Sequence, residues 1–256
     1  MQTLSIPPLP SRSRILLNVA KQVEEVAPEM RRTLLIDPRD TLFDATVGRR
    51  WLYQQLSFRG ASILPYAEFY QAWDQILGQE VYLGKRSYWE AVHEFLRDQN
   101  LTAGHADELT RAARTQFPEL EAGGKLQTVV VPILSVLATY GIRSVAVVNA
   151  SMGGDDFQAT YFPPGCDIQF DAVYSSIDLS TTHEQAAWIE RLRDELGERT
   201  WKQRPYLISA CESTRRAVQS AGLRTLAISH SDPSEAVDHH LSTWADLIPF
   251  YASNPG

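Results

Sequence analysis

Cysteine is scarce in this chain, with only Cys166 and Cys211 among 256 residues. Two thiols make no disulfide framework and suit a reducing cytosol. Long apolar runs are also missing, and nothing approaches the ~20 residues that a bilayer-spanning helix needs. Ile15-Leu16-Leu17 is too short for the apolar region of a secretion signal, and Glu24 and Glu25 follow closely. A basic stripe is absent as well. The formal net charge of −7 and a pI near 5.4 argue against a nucleic-acid footprint. These absences point to a cytoplasmic protein with neither membrane nor nucleic acid as its partner.

What is present is ordinary globular material. Apolar residues make up 44% and charged residues 21% of the chain, sufficient for a sizeable core. The length suits one large domain or a domain with a small satellite. Residues 1–30 are predicted as an extension. Its IPPLP opening is stiff and extended, and Ile15, Leu16, Val19, Val23 and Val26 share one helical face. A buried strand, Leu34-Leu35-Ile36, then ends on Asp37.

From 45 to 119 the grammar is helical. Trp51 to Phe58, Tyr66 to Leu77, Tyr88 to Leu96 and Ala106 to Phe117 are predicted amphipathic helices. Pro65, Gly78, Gly84, Asn100 and Pro118 punctuate them. The aromatics Trp51, Tyr53, Phe69, Tyr70, Trp73, Tyr88, Trp89 and Phe95 recur at helical spacing, which suits a bundle core. They also suit a partly apolar cover for an organic molecule.

Beyond Gly123-Gly124 strands alternate with helices. Ser144 to Val148, Phe170 to Ser175, Tyr206 to Ser209 and Arg224 to Ser229 read as strands, the last of them closing the sheet. Val129 to Tyr140, Glu184 to Leu196 and Thr214 to Ala221 read as helices. This alternation predicts an α/β fold: a Rossmann-like parallel sheet core with helices on both faces, built from 31–44 and 120–256. An all-helical cap at 45–119 interrupts it. Function in such sheets collects at the carboxyl ends of strands. Asp37, Asn149, Ser176 and the Ala210-Cys211-Glu212 turn all land there.

The arrangement resembles the haloacid dehalogenase (HAD) superfamily with a helical cap inserted after the first strand. Asp37-x-x-x-Thr41-Leu42-Phe43-Asp44 is similar to that family's first motif, D-x-D-G-T-L. FDAVYSS (Phe170 to Ser176) resembles the strand before its third motif. AVQSAGLRTLAIS (Ala217 to Ser229) resembles the segment after its fourth. The resemblance implies a phosphatase whose first aspartate attacks phosphorus. A second aspartate, two residues on, would carry the proton. A Ser or Thr, a lysine and acids holding Mg²⁺ would complete the site.

Against that pattern Asp37 and Thr41 are retained, and the rest departs. Arg39 stands at the second aspartate, and a guanidinium offers only donors and cannot shuttle a proton. Asp40 replaces the motif's glycine. The second motif's Ser/Thr position falls on Val148, and a slip to Asn149 or Ser151 could restore a polar contact. His183 falls near the lysine position, with Lys202 as a rival that reads better as a surface residue. The fourth motif has no aspartate, and only Glu212 could stand in as a metal ligand.

The expectation is therefore no metal and no cofactor. Arg39 acts as a replacement charge that favours ionised Asp37. The implied function is a HAD-fold protein that has lost Mg²⁺-dependent phosphatase activity and binds a small molecule or a protein partner. The alternative is a metal-independent, dehalogenase-like hydrolase using Asp37 as nucleophile, with Arg39 or Asn149 cradling a halide or carboxylate. A third idea pairs the Cys211 thiol with the His183 imidazole at the pocket rim. His230, Asp232, Asp238, His239 and His240 suggest a metal cluster at first glance. SDPSEAVDHHLSTWADL reads better as a terminal helix opened by Ser231 or Asp232, with Pro233 in its first turn. Gly153-Gly154-Asp155-Asp156 reads as a turn and a helix start.

Overall fold

The computed structural model describes residues 32–59, 61, 64–99, 101–123, 130–163, 166, 168–183, 185–228 and 237–253. The amphipathic helix expected before residue 31 lies outside them. β1 (Arg32–Ile36) is buried from Thr33 onward, with Leu34-Leu35-Ile36 as its apolar part, and the proline at 38, which lacks an amide hydrogen, helps end it. β2 (Ile142–Val148), β3 (Ala172–Ser175), β4 (Tyr206–Ile208), β5 (Arg224–Ile228) and β6 (His239–Leu241) complete one sheet. Its order is β3-β2-β1-β4-β5-β6, every pair parallel.

Alternation along the strands explains why both faces are covered. Leu34, Ile36, Ala146, Val148 and Ile208 bury into one core cluster, and Leu35, Val145, Val147 and Leu207 into the opposite one. Parallel strands need such two-sided burial, because their crossover helices lie on the faces. Helix α6 (Val130–Thr139) sends Val130, Ile133, Leu134 and Leu137 into the first cluster. Trp188, Leu192 and Leu196, one turn apart on α9 (Ala187–Leu196), fill the second.

Among the described residues five helices separate β1 from α6. They are α1 (Val47–Phe58), α2 (Tyr66–Leu77), α3 (Gln79–Tyr82), α4 (Tyr88–Asp98) and α5 (Ala103–Gly123). They share their own core, in which Leu52, Leu56, Phe69, Trp73, Phe95 and Phe117 are buried. Phe69, Trp73 and Phe95 meet edge to face or stacked, at centroid distances of 5.2–6.1 Å. Such pairs add to what area burial alone supplies.

The helix start read at Gly153-Gly154 is α7 (Gly154–Tyr161). Glycine is required there by close approach, since a Cβ on Gly154 would sit 2.1 Å from the Val173 carbonyl oxygen. After β3 comes α8 (Ser176–Leu179), started by a Ser175–Asp178 capping box. α10 (Glu198–Lys202) precedes β4, and α11 (Glu212–Ser220) follows it.

The carboxyl-terminal expectation is corrected. Arg224 to Ser229 is not the closing strand, and the DHHLSTWADL stretch is not one helix. His239–Leu241 forms β6 on the edge of the sheet, and helix returns as a 3-10 turn at Trp244–Asp246 that leads into α12 (Leu247–Ser253). Asp238 determines this pairing: its Oδ2 accepts from the Thr225 amide at 2.7 Å and from Thr225 Oγ1 at 2.9 Å. That clamp fastens the start of β6 beside β5, a tertiary effect that outweighs local helix pattern. Residues 229–236, with His230 and Asp232, lie outside the described residues.

Candidate active site

The order of strands reverses between β1 and β4, and open parallel sheets bind ligands at such a switch point. Asp37 follows β1 there, its amide continuing the ladder to the Ile208 carbonyl at 2.8 Å. Ser209 follows β4, and its Oγ donates to Asp37 Oδ2 at 2.9 Å. The Arg39 amide donates to Asp37 Oδ1 at 3.3 Å. Thr41 Oγ1 donates to the Asp37 carbonyl. The carboxylate is thus held by two donors from different strand ends, and its residue is only 7% exposed.

The loop that carries these groups turns at Asp40, whose φ is +59°. Aspartate tolerates this left-handed conformation better than most non-glycine residues. Its Oδ1 accepts from the Ala45 amide at 3.0 Å, and its amide donates to the Phe43 carbonyl at 2.8 Å. The turn therefore survives the loss of glycine.

Arg39 reaches away from the strand. Its Nη1 donates to the Asn149 carbonyl at 2.9 Å and to the Tyr82 hydroxyl at 3.2 Å, and its guanidinium lies 5.9 Å from the Tyr82 ring centroid. One side chain thereby ties the loops after β1 and β2 to the helical insert. Ser176 makes a second tie, its Oγ reaching the Tyr82 carbonyl at 2.7 Å and the Ala150 carbonyl at 3.1 Å.

Asn149 is the first residue after β2, and its Oδ1 accepts from the His183 amide at 3.1 Å. Val148 is fully buried in the core, so the polar position after β2 belongs to Asn149. The His183 ring packs on Trp188 at 4.4 Å between centroids. Burial, and then the Arg39 charge, push its pKa down to about 3. A lysine's positive charge is therefore not replaced by His183, which is neutral at pH 7. Lys202 is exposed and paired with Glu198 at 3.7 Å, on α10.

Opposing influences set the protonation of Asp37. Arg39 does favour ionised Asp37, yet desolvation is the larger effect, and the Asp37 pKa rises to about 7. Burial of a carboxylate outweighs a cation whose hydrogen bonds go to Asn149 and Tyr82. At neutral pH a large share of Asp37 is the uncharged acid.

Cys211 is not brought to His183. Its thiol is exposed and lies 3.1 Å from Ser213 Oγ, while its amide donates to Ser209 Oγ at 3.1 Å. No hydrogen bond joins the two side chains among the described residues, so the thiol–imidazole pair is not formed. Glu212 is bound to Arg216 at 2.6 Å on the surface of α11, not directed at Asp37. Buried Arg215 instead donates to the Ser209 carbonyl at 2.6 Å, bracing the serine that holds Asp37.

Mg²⁺ takes octahedral oxygen ligation, usually one or two ionised carboxylates completed by water. Asp37 is half protonated, Arg39 brings a fixed cation beside it and Glu212 is occupied elsewhere, so these residues do not fit the ion. Among the described residues no group of three His, Cys, Asp or Glu side chains could hold a metal. Nor is any described helix long and apolar enough to cross a membrane.

His183 carries a pH consequence. Its folded pKa lies below the ordinary 6.5, so its contribution to stability is present above pH 6.5 and is lost as pH falls toward 3. His183→Phe keeps the contact with Trp188 and removes the titration. We expect this variant to lose about 2 kcal/mol less than the parent between pH 7 and pH 5, read by urea unfolding at both pH values. Equal losses would show that His183 is not buried neutral.

Solved structures share this architecture. A 2-haloacid dehalogenase from Pseudomonas syringae pv. tomato superposes with a TM-score of 0.59 at 15% identity, over 89% of this chain and 100% of that one. A Bacillus subtilis protein named as a HAD-hydrolase, solved with magnesium, gives 0.61 at 16% identity, over 88% and 99%. The L-2-haloacid dehalogenase of Xanthobacter autotrophicus, solved with chloropropionic acid covalently bound, gives 0.58 at 14%, over 89% and 100%. No protein-family model matches this sequence, and no curated protein matches it. The chain has the haloacid dehalogenase-like hydrolase fold: a Rossmann-like parallel sheet with helices, matched over nearly the full length of those structures.

Proposed function

We propose that this protein has lost Mg²⁺-dependent phosphoryl transfer and uses its hydrolase fold to bind a ligand. One observation carries the reading. Arg39 occupies the position of the proton-carrying aspartate, with its guanidinium bonded to Asn149 and Tyr82. A phosphatase of this design needs a group there that gives and takes a proton, and a guanidinium does neither. The raised pKa of Asp37 removes nucleophile at neutral pH, and the poor metal donor set removes the Lewis acid. The test is release of phosphate from an aryl phosphate with Mg²⁺, Mn²⁺ or EDTA, beside Asp37→Asn. We expect the parent to match Asp37→Asn in every buffer. Metal-dependent turnover that Asp37→Asn abolishes would overturn the reading.

A second reading has its own support. Ser209 and the Arg39 amide hold both oxygens of Asp37, which orients a carboxylate for attack on carbon without a metal. Dehalogenases are among the structures this chain resembles. Halide release from chloropropionate at pH 8.5, above the Asp37 pKa of about 7, decides it. Release that disappears in Asp37→Asn would favour this hydrolase over the binding protein.

A further inference from the structure

A cavity of about 660 Å³ lies between the helical insert and the carboxyl end of the sheet. That is within the usual range of small-molecule sites. Arg39, Arg86 and Arg114 line it, and among the described residues no aspartate or glutamate does. Arg86 is paired with Glu94, which is outside the lining. The Arg114 guanidinium lies 5.8 Å from the Trp89 ring centroid, as Arg39 lies over Tyr82. Two planar cations are thus held against aromatic rings that themselves face the cavity. The rest of the wall is mostly aromatic or aliphatic, with Phe117, Phe157 and Met152 among its residues. Asp37 is not among the lining residues.

We propose that this cavity binds a flat organic anion, its oxyanion head taken by Arg114 and its apolar body laid against Trp89 and Tyr161. The proposal rests on the binding role above and adds the class of ligand. Guanidinium groups pair two-pronged with planar or tetrahedral oxyanions. A lining with cations and no carboxylate favours an anion over a neutral or cationic molecule. The aromatic wall favours a flat body over a small acid such as acetate.

Naphthoate, naphthyl phosphate and naphthamide are suitable probes, titrated by calorimetry and by quenching of tryptophan emission. We expect an anion to bind at least about tenfold more tightly than the neutral amide. Whichever of naphthoate and naphthyl phosphate binds more tightly identifies the head group as carboxylate or phosphate. Arg114→Gln, on the surface of α5, should cost about tenfold for the anion and leave the amide unchanged. An unaltered thermal transition will show that the variant is folded. Equal affinity for anion and amide, no binding of any probe, or an unchanged anion affinity in folded Arg114→Gln would overturn the proposal. Cleavage of naphthyl phosphate would end the disabled-site reading, yet tight naphthoate binding would still support the anion site.

Discussion

Asp37→Asn is expected to be more stable than the parent at pH 8 and no more stable at pH 4. The carboxyl has an ordinary pKa of 3.8 when unfolded and about 7 when folded. A raised folded pKa means stability that is complete below 3.8 and is lost as pH climbs through 7. Ionising Asp37 in its buried site therefore costs up to about 4 kcal/mol by pH 8. Asparagine keeps an acceptor for Ser209 Oγ and carries no charge, so it escapes that loss. For a chain of this size the difference amounts to roughly 8–15 °C in melting temperature. Melting curves of both proteins at pH 4 and pH 8 check it. Parallel pH dependence in the two would mean that Asp37 is ionised throughout.

The second large effect is at Arg39. Arg39→Asp puts an acid after Asp37-Pro38 yet should cost roughly 3–4 kcal/mol at pH 7, because two charge-assisted hydrogen bonds are lost. These are the bonds to the Asn149 carbonyl and the Tyr82 hydroxyl. The new carboxylate would also face Asp37 without a cation, which drives the Asp37 pKa further up. The variant should show no phosphatase activity, since Glu212 remains bound to Arg216 and no acid follows β4 in its place. Urea unfolding measures the first part and phosphate release the second. A variant of parental stability would show that Arg39 does not clamp the insert to the sheet.

Much of the fold was legible because burial leaves strong patterns. Leu34-Leu35-Ile36 and Val145 to Val148 are apolar without interruption, as suits parallel strands covered on both faces. The boundaries of α2 were legible because Pro65 and Gly78 flank the Tyr66–Leu77 helix. β6 was not legible: three residues, two of them histidines, carry no strand signal without the Asp238–Thr225 clamp.

The site divides along the same line. Asp37, Arg39 and Asn149 were found because they follow apolar strands or fill a motif. Ser209 stood in view after β4, but nothing local says that it bonds to Asp37, 172 positions earlier. Tyr82 gave no signal at all, being one aromatic among many in the insert. Its role exists only where the insert meets Arg39 and Ser176. The net protonation of Asp37 was not legible for a related reason: a neighbouring arginine is visible in sequence, whereas depth of burial is not.

The central claim is that the site has exchanged a metal for a fixed cation, and a metal titration tests it without any guess about substrate. Mn²⁺ and Mg²⁺ would be titrated calorimetrically into the parent and into Asp37→Asn at pH 8, where Asp37 is mostly ionised. The account predicts no saturable binding by the parent up to millimolar metal. Saturable binding by the parent that Asp37→Asn abolishes would contradict it, because Asp37 would then hold the ion with Arg39 in place.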